Sequence, residues 1–490
     1  MSSEKYTTDE IQKMIVAIRS KDHTLRQNAL ANLAIIAKVL EPERTVKELI
    51  PYTIETTDHN GKDRSIIGAV LCQLLPYIGG TQHIQVLFDA LRTLCEDEDV
   101  LVREPATESV VSIGNQIPES EFGVLVQFAK ELCEDQWYPL RCSGATICCK
   151  LYQKFPQKSR QDINKELTRL ASDTVVLVRC SLAISLHNII SAGAIDLAST
   201  ILTTLSKDES AAVSIELPQS IALIAKANPS LALSASETIF NTEIWQSKSV
   251  LLDYLDQIFQ SNPPKEFLKK VAKVSISDPH NVIRASIARQ IAFIYNSGCL
   301  PFEEFQKFVT SLISDSESCV RIAVAQSLGK MKPIKKGSFD ESTLDTLLND
   351  EELDVRMEAL KSVAATGKAI SLAAKNLSEL LTIASWRTKR NVADLFPSIA
   401  NIYDDKKFNG EMMPIVKALL TDDANDVREE MCKILNDLVK KYGPKWQKDT
   451  IYPLINELVT SPDYQLRKTA IQSIASISAF DDFKSALETL

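Results

Sequence analysis

Along this 490-residue chain, short stretches in which apolar residues recur with helical spacing are separated by short polar segments. Apolar side chains recur every three or four positions on both sides of a polar break: Met413, Val416, Leu419 and Leu420, then Val427, Met431, Ile434, Leu435, Leu438 and Val439. This spacing predicts two amphipathic helices, because residues three and four apart share one helical face. Residues 302–313 and 320–328 repeat the arrangement. We therefore predict units made of helix A, a short turn and helix B.

The turn between the two helices carries a repeated signature. In the segment Glu96-Asp97-Glu98-Asp99-Val100-Leu101-Val102-Arg103, acidic residues are followed by apolar residues and then by an arginine. A residue in the place of this arginine, termed the anchor, recurs at intervals of 33–39 residues. The anchors are Arg26, Arg64, Arg103, Arg141, Arg179, Ser214, Lys248, Arg284, Arg321, Arg356, Lys389, Arg428 and Arg467. A period of this length is typical of stacked two-helix repeats.

The repeated pattern also predicts the fold class. A single helical hairpin cannot bury two apolar faces, so neighbouring copies have to stack. We predict an all-α, right-handed α–α superhelix, a solenoid of about thirteen two-helix repeats that occupies residues 1–490 as a single domain.

The charged residues of the turn have an expected structural role. The acidic side chains lie where helix B begins, so they can accept hydrogen bonds from its free backbone N–H groups. We expect each anchor arginine to bond to the turn of the next repeat and to form a ladder along one edge. Ser214, Lys248 and Lys389 are expected to give weaker rungs, since they replace arginine.

Composition and charge argue against several classes of function. The net charge of −9 argues against a nucleic-acid binder, because neutralising phosphates requires a basic face. The chain has neither a basic-then-apolar leader at residue 1 nor a run of about 18 apolar residues. We expect no membrane span and a location in the cytoplasm or the nucleus. The ten cysteines form no CxxC pair, and we interpret them as buried free thiols.

Residues suited to catalysis are sparse. The five histidines are far apart in sequence and show no HxxxH or HExxH spacing: His23, His59, His83, His187 and His280. The motifs GxxxxGK[ST], GxGxxG and GxSxG are missing, so the sequence offers neither a phosphate-binding loop nor a nucleophile elbow. We expect no enzyme activity, no cofactor, no metal site and no small-molecule substrate.

Three tryptophans stand in turns just before an anchor, namely Trp137, Trp245 and Trp386. Large aromatic residues dominate binding hot spots, so these three are candidates for contacts with partner proteins. The alternative is that each packs against its own repeat. Trp446 follows Gly443-Pro444-Lys445 at a connector, and we expect a structural role for it.

The repeat resembles the HEAT repeat, and the order of its variants resembles the scaffolding (A, 65-kDa regulatory) subunit of type 2A serine/threonine protein phosphatase. The segments that carry this resemblance are Leu25–Leu30, Glu43–Thr45, Glu48–Pro51, Tyr77–Gly80, Asp135–Trp137, Arg141–Ser143, Trp386–Arg387, Asp426–Glu429, Leu438–Trp446, Thr450–Pro453 and Pro462–Tyr464. They span essentially the whole chain with the copies in register.

The resemblance implies a non-catalytic scaffold that holds two partner proteins. Repeats within residues 1–300 would hold a variable regulatory subunit, with contacts from Glu98, Asp99, Trp137, Asp173 and Trp245. Repeats within residues 370–490 would hold the phosphatase catalytic subunit, with contacts from Trp386, Arg387, Asp426 and Tyr464.

Two departures from the family pattern bear on this expectation. Cys180 and Gln246 stand where the family is usually basic, which affects the choice of regulatory subunit. The family has fifteen repeats, and thirteen anchors are found here. One alternative function is another HEAT-repeat scaffold, such as a transport receptor of the importin-β type. A second is a HEAT-fold metal enzyme, which the sparse histidines disfavour.

Overall fold

A computed structural model of the chain describes residues 8–55, 61–331, 339–366, 370–479 and 482–484. The chain forms two compact units, Met1–Asn262 and Pro263–Leu490, which are described separately. The described residues are helices and turns, without a β-strand.

The first unit contains seven helix pairs. Its A helices are Thr8–Ala17, Ile50–Glu55, Ile84–Cys95, Phe122–Glu134, Gln157–Leu170, Ile195–Leu205 and Pro229–Phe240, and a π-helical turn, Thr45–Leu49, precedes the second. Its B helices begin with His23–Ala31, Gly61–Val70, Val100–Gln116, Tyr138–Lys150, Val176–Ser191, Ala211–Ser214 and Trp245–Asp253. Four of these continue after a bend, as Leu33–Arg44, the 3₁₀ segment Leu71–Tyr77, Leu217–Ile224 and Leu255–Phe259.

The second unit contains six helix pairs. Its A helices are Lys265–Ser275, Phe302–Ile313, Phe339–Leu348, Ile370–Ile383, Asp405–Glu411 with Met413–Leu420, and Pro444–Trp446 with Gln447–Ile451 and Tyr452–Val459. Its B helices are Asn281–Arg289 with Ile291–Ser297, Ser318–Leu328, Leu353–Thr366, Trp386–Ala393 with Phe396–Ile402, Asn425–Tyr442 and Tyr464–Ser476.

Proline explains two of the bends in the B helices. Pro218 and Pro397 stand in the first turn of the continuing segments Leu217–Ile224 and Phe396–Ile402. A proline has no backbone N–H and clashes with the preceding helical turn, so it is tolerated at a helix start but interrupts a helix interior.

The anchors keep one position in all thirteen pairs. Each anchor is the fourth residue of its helix B, as Arg103 is in Val100–Gln116 and Arg467 is in Tyr464–Ser476. Within each unit, A helices pack on neighbouring A helices and B helices on neighbouring B helices. The predicted all-α solenoid of about thirteen two-helix repeats is confirmed.

The apolar faces meet as the periodicity predicts. Phe88 and Phe128, from the A helices of repeats 3 and 4, stack with their ring centroids 4.7 Å apart. In the second unit, Phe408 contacts the rings of Tyr442 and Trp446 at centroid distances of 5.1 and 6.1 Å. Trp446 is buried and its indole N–H donates to Asn409 at 2.8 Å, so it is a structural residue.

Seven of the ten cysteines are buried free thiols, as expected: Cys95, Cys133, Cys142, Cys148, Cys149, Cys299 and Cys432. Cys72 and Cys180 are partly exposed, and Cys319 is exposed, so the expectation is wrong for these three. Burial raises the pKa of the Cys95 thiol to about 11, which keeps this thiol protonated at neutral pH.

Gly144 allows the two helices of repeat 4 to approach closely. A Cβ at this position would lie 2.8 Å from both the backbone nitrogen and the Sγ of Cys133. The absence of a side chain is therefore a packing requirement, since a densely packed core cannot absorb such an overlap.

We expect Gly144→Ala to lower the free energy of unfolding by about 1–3 kcal/mol through overpacking. Gly123 is the matched control, because it lies in helix A of the same repeat and a Cβ there would have no neighbour within 4 Å. Gly123→Ala should be neutral or slightly stabilising, since alanine favours helix. Urea unfolding monitored by circular dichroism measures both, and equal effects of the two changes would contradict the packing argument.

Candidate protein-binding surface

A ladder of ion pairs connects successive repeats within each unit. Six pairs join an anchor to an aspartate in the turn of the next repeat: Arg64–Asp97 at 2.7 Å, Arg141–Asp173 at 2.8 Å, Arg179–Asp208 at 2.5 Å, Arg284–Asp315 at 2.6 Å, Arg321–Asp350 at 2.7 Å and Lys389–Asp422 at 2.7 Å. In the seventh pair, Arg26 contacts Asp63 in the first turn of helix B of repeat 2, at 2.5 Å. This confirms the expected ladder for seven of the anchors.

Most ladder arginines hold two turns at once. Arg321 donates from Nε and Nη2 to the two carboxylate oxygens of Asp350, at 2.7 and 2.9 Å. Its Nη1 donates to the carbonyl oxygens of Asp315 and Ser316 in its own turn, at 2.8 and 3.2 Å. A planar guanidinium can satisfy both acceptors simultaneously, whereas an ammonium group cannot do so with the same geometry.

The aspartates order their own turns rather than capping helix B. Six residues before Arg321, the Oδ1 of Asp315 accepts from the backbone N–H of Glu317 at 3.0 Å, which closes a short side-chain turn. Helix B itself is capped by an acidic side chain in repeats 1, 3 and 13, through Asp22, Asp99 and Asp463. The expected capping by acidic residues thus holds for these three repeats. The ladder aspartates instead bond to backbone N–H groups within the turn, before helix B begins.

The ladder shifts the pKa of its groups. Burial by itself raises the pKa of Asp315, but the hydrogen bonds from Arg284 and from the backbone N–H of Glu317, with the charge of Arg284, outweigh it and lower that pKa below its usual value. The same balance lowers the pKa of the aspartates at 173 and 208. The hydrogen bond to Asp315 in turn raises the pKa of Arg284.

Anchors other than arginine make fewer or uncharged contacts with the next repeat. Ser214 has no charge, and its hydroxyl lies 2.5 Å from the hydroxyl of Ser247 in the next repeat, which makes a neutral rung. Lys389 makes one contact of 2.7 Å to Asp422, where an arginine would make two. These contacts agree with the expectation of weaker rungs at both positions.

Repeats 3 and 4 are connected through a tryptophan. Asp135 accepts from Arg92 of helix A at 2.5 Å instead of from Arg103. The indole N–H of Trp137 donates to the carbonyl oxygen of Glu96 in the preceding turn, at 2.7 Å. The ring is still 43 % exposed, so Trp137 both supports the turn and presents an aromatic surface.

The exposed side of the A–B turns forms a surface in each unit that we term the ridge. Exposed apolar and aromatic residues on it are Leu25, Val100, Leu101, Trp137, Val176 and Leu177 in the first unit, and Val282, Ile383, Trp386 and Tyr464 in the second. Exposed apolar and aromatic side chains of this kind offer contact area to a partner protein where several of them lie close together.

The residues expected to contact a regulatory subunit differ in accessibility. Glu98 and Asp99 are exposed in the turn against which Trp137 lies. Asp173 is buried and engaged by Arg141, so its carboxylate supports the ladder. Trp245 is half-buried as the first residue of helix B in repeat 7.

The residues expected to contact the catalytic partner all lie at helix B starts in the second unit. Trp386 is 39 % exposed, and the guanidinium of Arg387 lies over its ring, 4.6 Å from the centroid. Asp426 is exposed at the start of helix B in repeat 12. Tyr464 opens helix B of repeat 13 and is 68 % exposed.

The aliphatic residues of the ridge were not predicted from the sequence. Leu101 and Leu177 stand two residues before their anchors and are exposed, and Ile383 occupies the ladder-aspartate position of repeat 11. The sequence does contain apolar residues at these positions, which lie outside the core once the helix boundaries are known. It could not be distinguished from ordinary core periodicity without the helix boundaries.

The fold defines a class of protein: this chain is a HEAT-repeat solenoid. It superposes on a chain of the solved Kap95:Nup1 complex with a TM-score of 0.69 at 10% sequence identity, covering 99% of this chain and 70% of that one. For yeast importin-β (Kap95p) the TM-score is 0.64 at 12% identity, covering 98% and 68%. At such identities the likeness concerns the fold alone.

Sequence similarity is more specific and points to phosphatase scaffolds. The chain is 31% identical over 177 residues to the alpha isoform of the 65 kDa regulatory (A) subunit of serine/threonine-protein phosphatase 2A from Arabidopsis thaliana, covering 36% of this chain and 30% of the relative. It is 28% identical over 191 residues to the protein phosphatase 2A scaffold subunit of Dictyostelium discoideum, covering 38% and 33%. The beta isoform of the 65 kDa regulatory (A) subunit from Homo sapiens is 26% identical over 170 residues, covering 34% and 28%.

These matches confirm the resemblance to phosphatase 2A scaffold subunits. The aligned regions span about a third of the length of these curated relatives. No protein-family model matches the chain. Across the part that the structure describes, no helix has both the length and the apolar character needed to cross a membrane.

A double-mutant cycle at Arg321 and Asp350 tests the ladder. Both side chains are buried, so Arg321→Ala should lower the free energy of unfolding by about 3 kcal/mol, because it leaves the Asp350 carboxylate unpaired. Asp350→Ala should have a similar cost, and the double variant should cost clearly less than the sum of the two. Strict additivity in urea unfolding would contradict a direct rung.

Acid should weaken the ladder in a defined pH window. Because the folded pKa of Asp315 is lowered, its stabilising contribution is complete above the unfolded value of about 3.9 and is lost as pH falls through the folded pKa. Asp315→Asn should therefore reduce the free energy of unfolding more at pH 6 than at pH 3. In an Arg284→Ala background the pH-dependent part of this difference should shrink, and a persistent full difference would exclude Arg284 as its cause.

Proposed function

We propose that this protein is a non-catalytic scaffold of a type 2A protein phosphatase. It would hold a variable regulatory subunit together with a phosphatase catalytic subunit through the turns between its A and B helices. The observation that carries the proposal is the presence of exposed aromatic residues on the ridge, in a chain whose sequence relatives are named phosphatase scaffold or regulatory A subunits.

The regulatory subunit would bind within residues 1–300. Glu98, Asp99 and the exposed face of Trp137 form one acidic and aromatic corner at the turns of repeats 3 and 4. Trp245 would add a contact in repeat 7. Asp173 would act by holding the turn of repeat 5, since its carboxylate is engaged by Arg141.

The catalytic subunit would bind within residues 370–490. Trp386 with its stacked Arg387 would make the central contact, because a partly exposed aromatic ring offers a large contact area at a small cost in conformational entropy. Asp426 and Tyr464 would extend the contact along the turns of repeats 12 and 13.

Such a scaffold acts by raising an effective concentration. When two proteins occupy one chain, their encounter becomes intramolecular, and the effective concentration reaches the millimolar range where the geometry allows both to bind. The scaffold then needs no reactive group of its own. The proposed setting for this assembly is the cytoplasm or the nucleus.

The importin-β-like alternative rests on a different kind of observation. The solved importin-β chains share the fold at 10–13% identity, which carries no information on partners. The phosphatase scaffolds share sequence at 26–31% identity. The sequence relatives therefore favour the phosphatase assignment.

Binding to a purified type 2A catalytic subunit tests the proposal. We expect the wild-type chain to bind it and Trp386→Ala to weaken binding about 30-fold, as for a central aromatic hot spot of about 2 kcal/mol. Biolayer interferometry measures the affinity, and a pull-down from a eukaryotic lysate with mass spectrometry identifies the bound regulatory subunit.

Val39→Ala is the control for this experiment. Val39 is also an exposed apolar residue, but it lies in the second segment of helix B in repeat 1, away from the A–B turn. Its replacement should leave binding of the catalytic subunit unchanged. A wild-type chain that captures no phosphatase subunit, or that captures transport cargo instead, would refute the proposed function.

A further inference from the structure

The ladder is interrupted between repeats 10 and 11. Arg356 is the anchor of repeat 10, and the acceptor expected for it lies six residues before the next anchor, Lys389. Ladder aspartates such as Asp350 and Asp422 hold that position in their own repeats. In repeat 11 the position is taken by Ile383, whose side chain is 60 % exposed and cannot accept a hydrogen bond.

Arg356 is left with an incomplete set of partners. Its Nε is buried and has no hydrogen-bond partner. Its Nη2 lies 3.6 Å from a carboxylate oxygen of Glu379, which is longer than a hydrogen bond, and the Glu379 side chain is 50 % exposed. Leaving a buried donor of a charged group unsatisfied is costly, because the group loses its hydration without a replacement.

The loss of an aspartate does not by itself leave an anchor unsatisfied. In repeat 13 the corresponding position is Ser461, yet Arg428 donates to Thr469 at 3.1 Å and to Gln465 at 2.9 Å. Among the anchors in the described part of the chain, only Arg356 has a buried guanidinium nitrogen without an acceptor. The interruption at Arg356 is therefore a local feature, and the Glu379 carboxylate, 3.6 Å from Nη2, leaves Nε without a partner.

The surroundings of Arg356 combine positive charge with apolar surface. The turn of repeat 11 continues with Trp386, Arg387 and Lys389, and Arg387 stacks on the exposed tryptophan. Lys389 is already paired with Asp422. The turn of repeat 11 thus presents Ile383, Trp386 and the guanidinium of Arg387, while the Glu379 carboxylate lies 3.6 Å from Nη2 of Arg356.

We propose that a partner protein completes this rung with its own carboxylate. An aspartate or glutamate of the partner would pair with Arg356 in the manner of Asp350 with Arg321, and an adjacent apolar side chain would pack on Ile383 and Trp386. The Arg356 side chain is 12 % exposed, and the partner carboxylate would approach the guanidinium through this exposed part, beside Glu379. This rests on the proposed function and deepens it by naming the recognition chemistry: an acidic residue beside an apolar one on the catalytic subunit.

The test supplies the missing carboxylate from the chain itself. Ile383→Asp should complete the rung internally, raise the midpoint of thermal unfolding by about 2 °C and weaken binding of the purified catalytic subunit by a factor of about ten or more. Ile383→Asn is the matched control, since it removes the same apolar side chain without adding a charge. It should not raise the midpoint, and it should weaken binding less than threefold.

Arg356→Gln provides the converse change. It should weaken binding about as much as Ile383→Asp does, and the two changes together should weaken it no further, because each removes the same contact. If Arg356→Gln disturbs folding, as judged by circular dichroism, the pair of Ile383 variants decides alone.

The outcomes separate this inference from the proposed function. If the wild-type chain binds the catalytic subunit, and Trp386→Ala weakens binding, but Ile383→Asp behaves like Ile383→Asn, the carboxylate contact is wrong and the scaffold function stands. If Ile383→Asp does not raise the unfolding midpoint above that of Ile383→Asn, Arg356 is not an open rung. If the wild-type chain shows no binding to the catalytic subunit, both proposals fail.

Discussion

The inter-repeat ion pair is the interaction on which the accessible surface of this protein depends. Apolar burial stacks the helices, but it is not directional and does not set the conformation of a turn. The anchor arginine does so, because its planar guanidinium bonds the carbonyl oxygens of its own turn and the carboxylate of the next one. Each turn is thereby held from both sides, and the residues that follow it are presented at a fixed position on the ridge.

Within a turn, the residues that form the ladder differ from the residues that are exposed to solvent. Asp173 and Asp315 are largely buried and serve the ladder, whereas Leu177 and Cys319, each four residues further on, are exposed. A turn can therefore vary its exposed residues without disturbing its support. Trp137 and Ile383 stand in turns where the usual rung is replaced or missing, and both residues are exposed. The exceptions in the ladder therefore coincide with sites proposed for partners.

A repeat protein of this kind has its stability distributed over neighbouring interfaces. Neutral or weaker rungs, such as the hydroxyl pair of Ser214 and Ser247 or the single contact of Lys389, reduce the electrostatic part of one interface while apolar packing continues across it. Such interfaces are where a solenoid opens or bends at the smallest cost. A partner bound at a turn, as proposed, would act on these same interfaces, since it would add contacts that the chain does not supply.

The repeat number, the helix pairs and seven rungs of the ladder could be predicted from the sequence, because these depend on short-range periodicity and on one residue that recurs in phase with it. Arg321 could be assigned to the turn that contains Asp350, since most copies repeat the same spacing. Only the folded chain shows which turn residues are exposed, that Asp173 is buried, that Asp135 accepts from Arg92, and that the Nε of Arg356 lacks an acceptor. These properties depend on how side chains from two different repeats meet, and a pattern that describes one repeat at a time contains no information on that meeting.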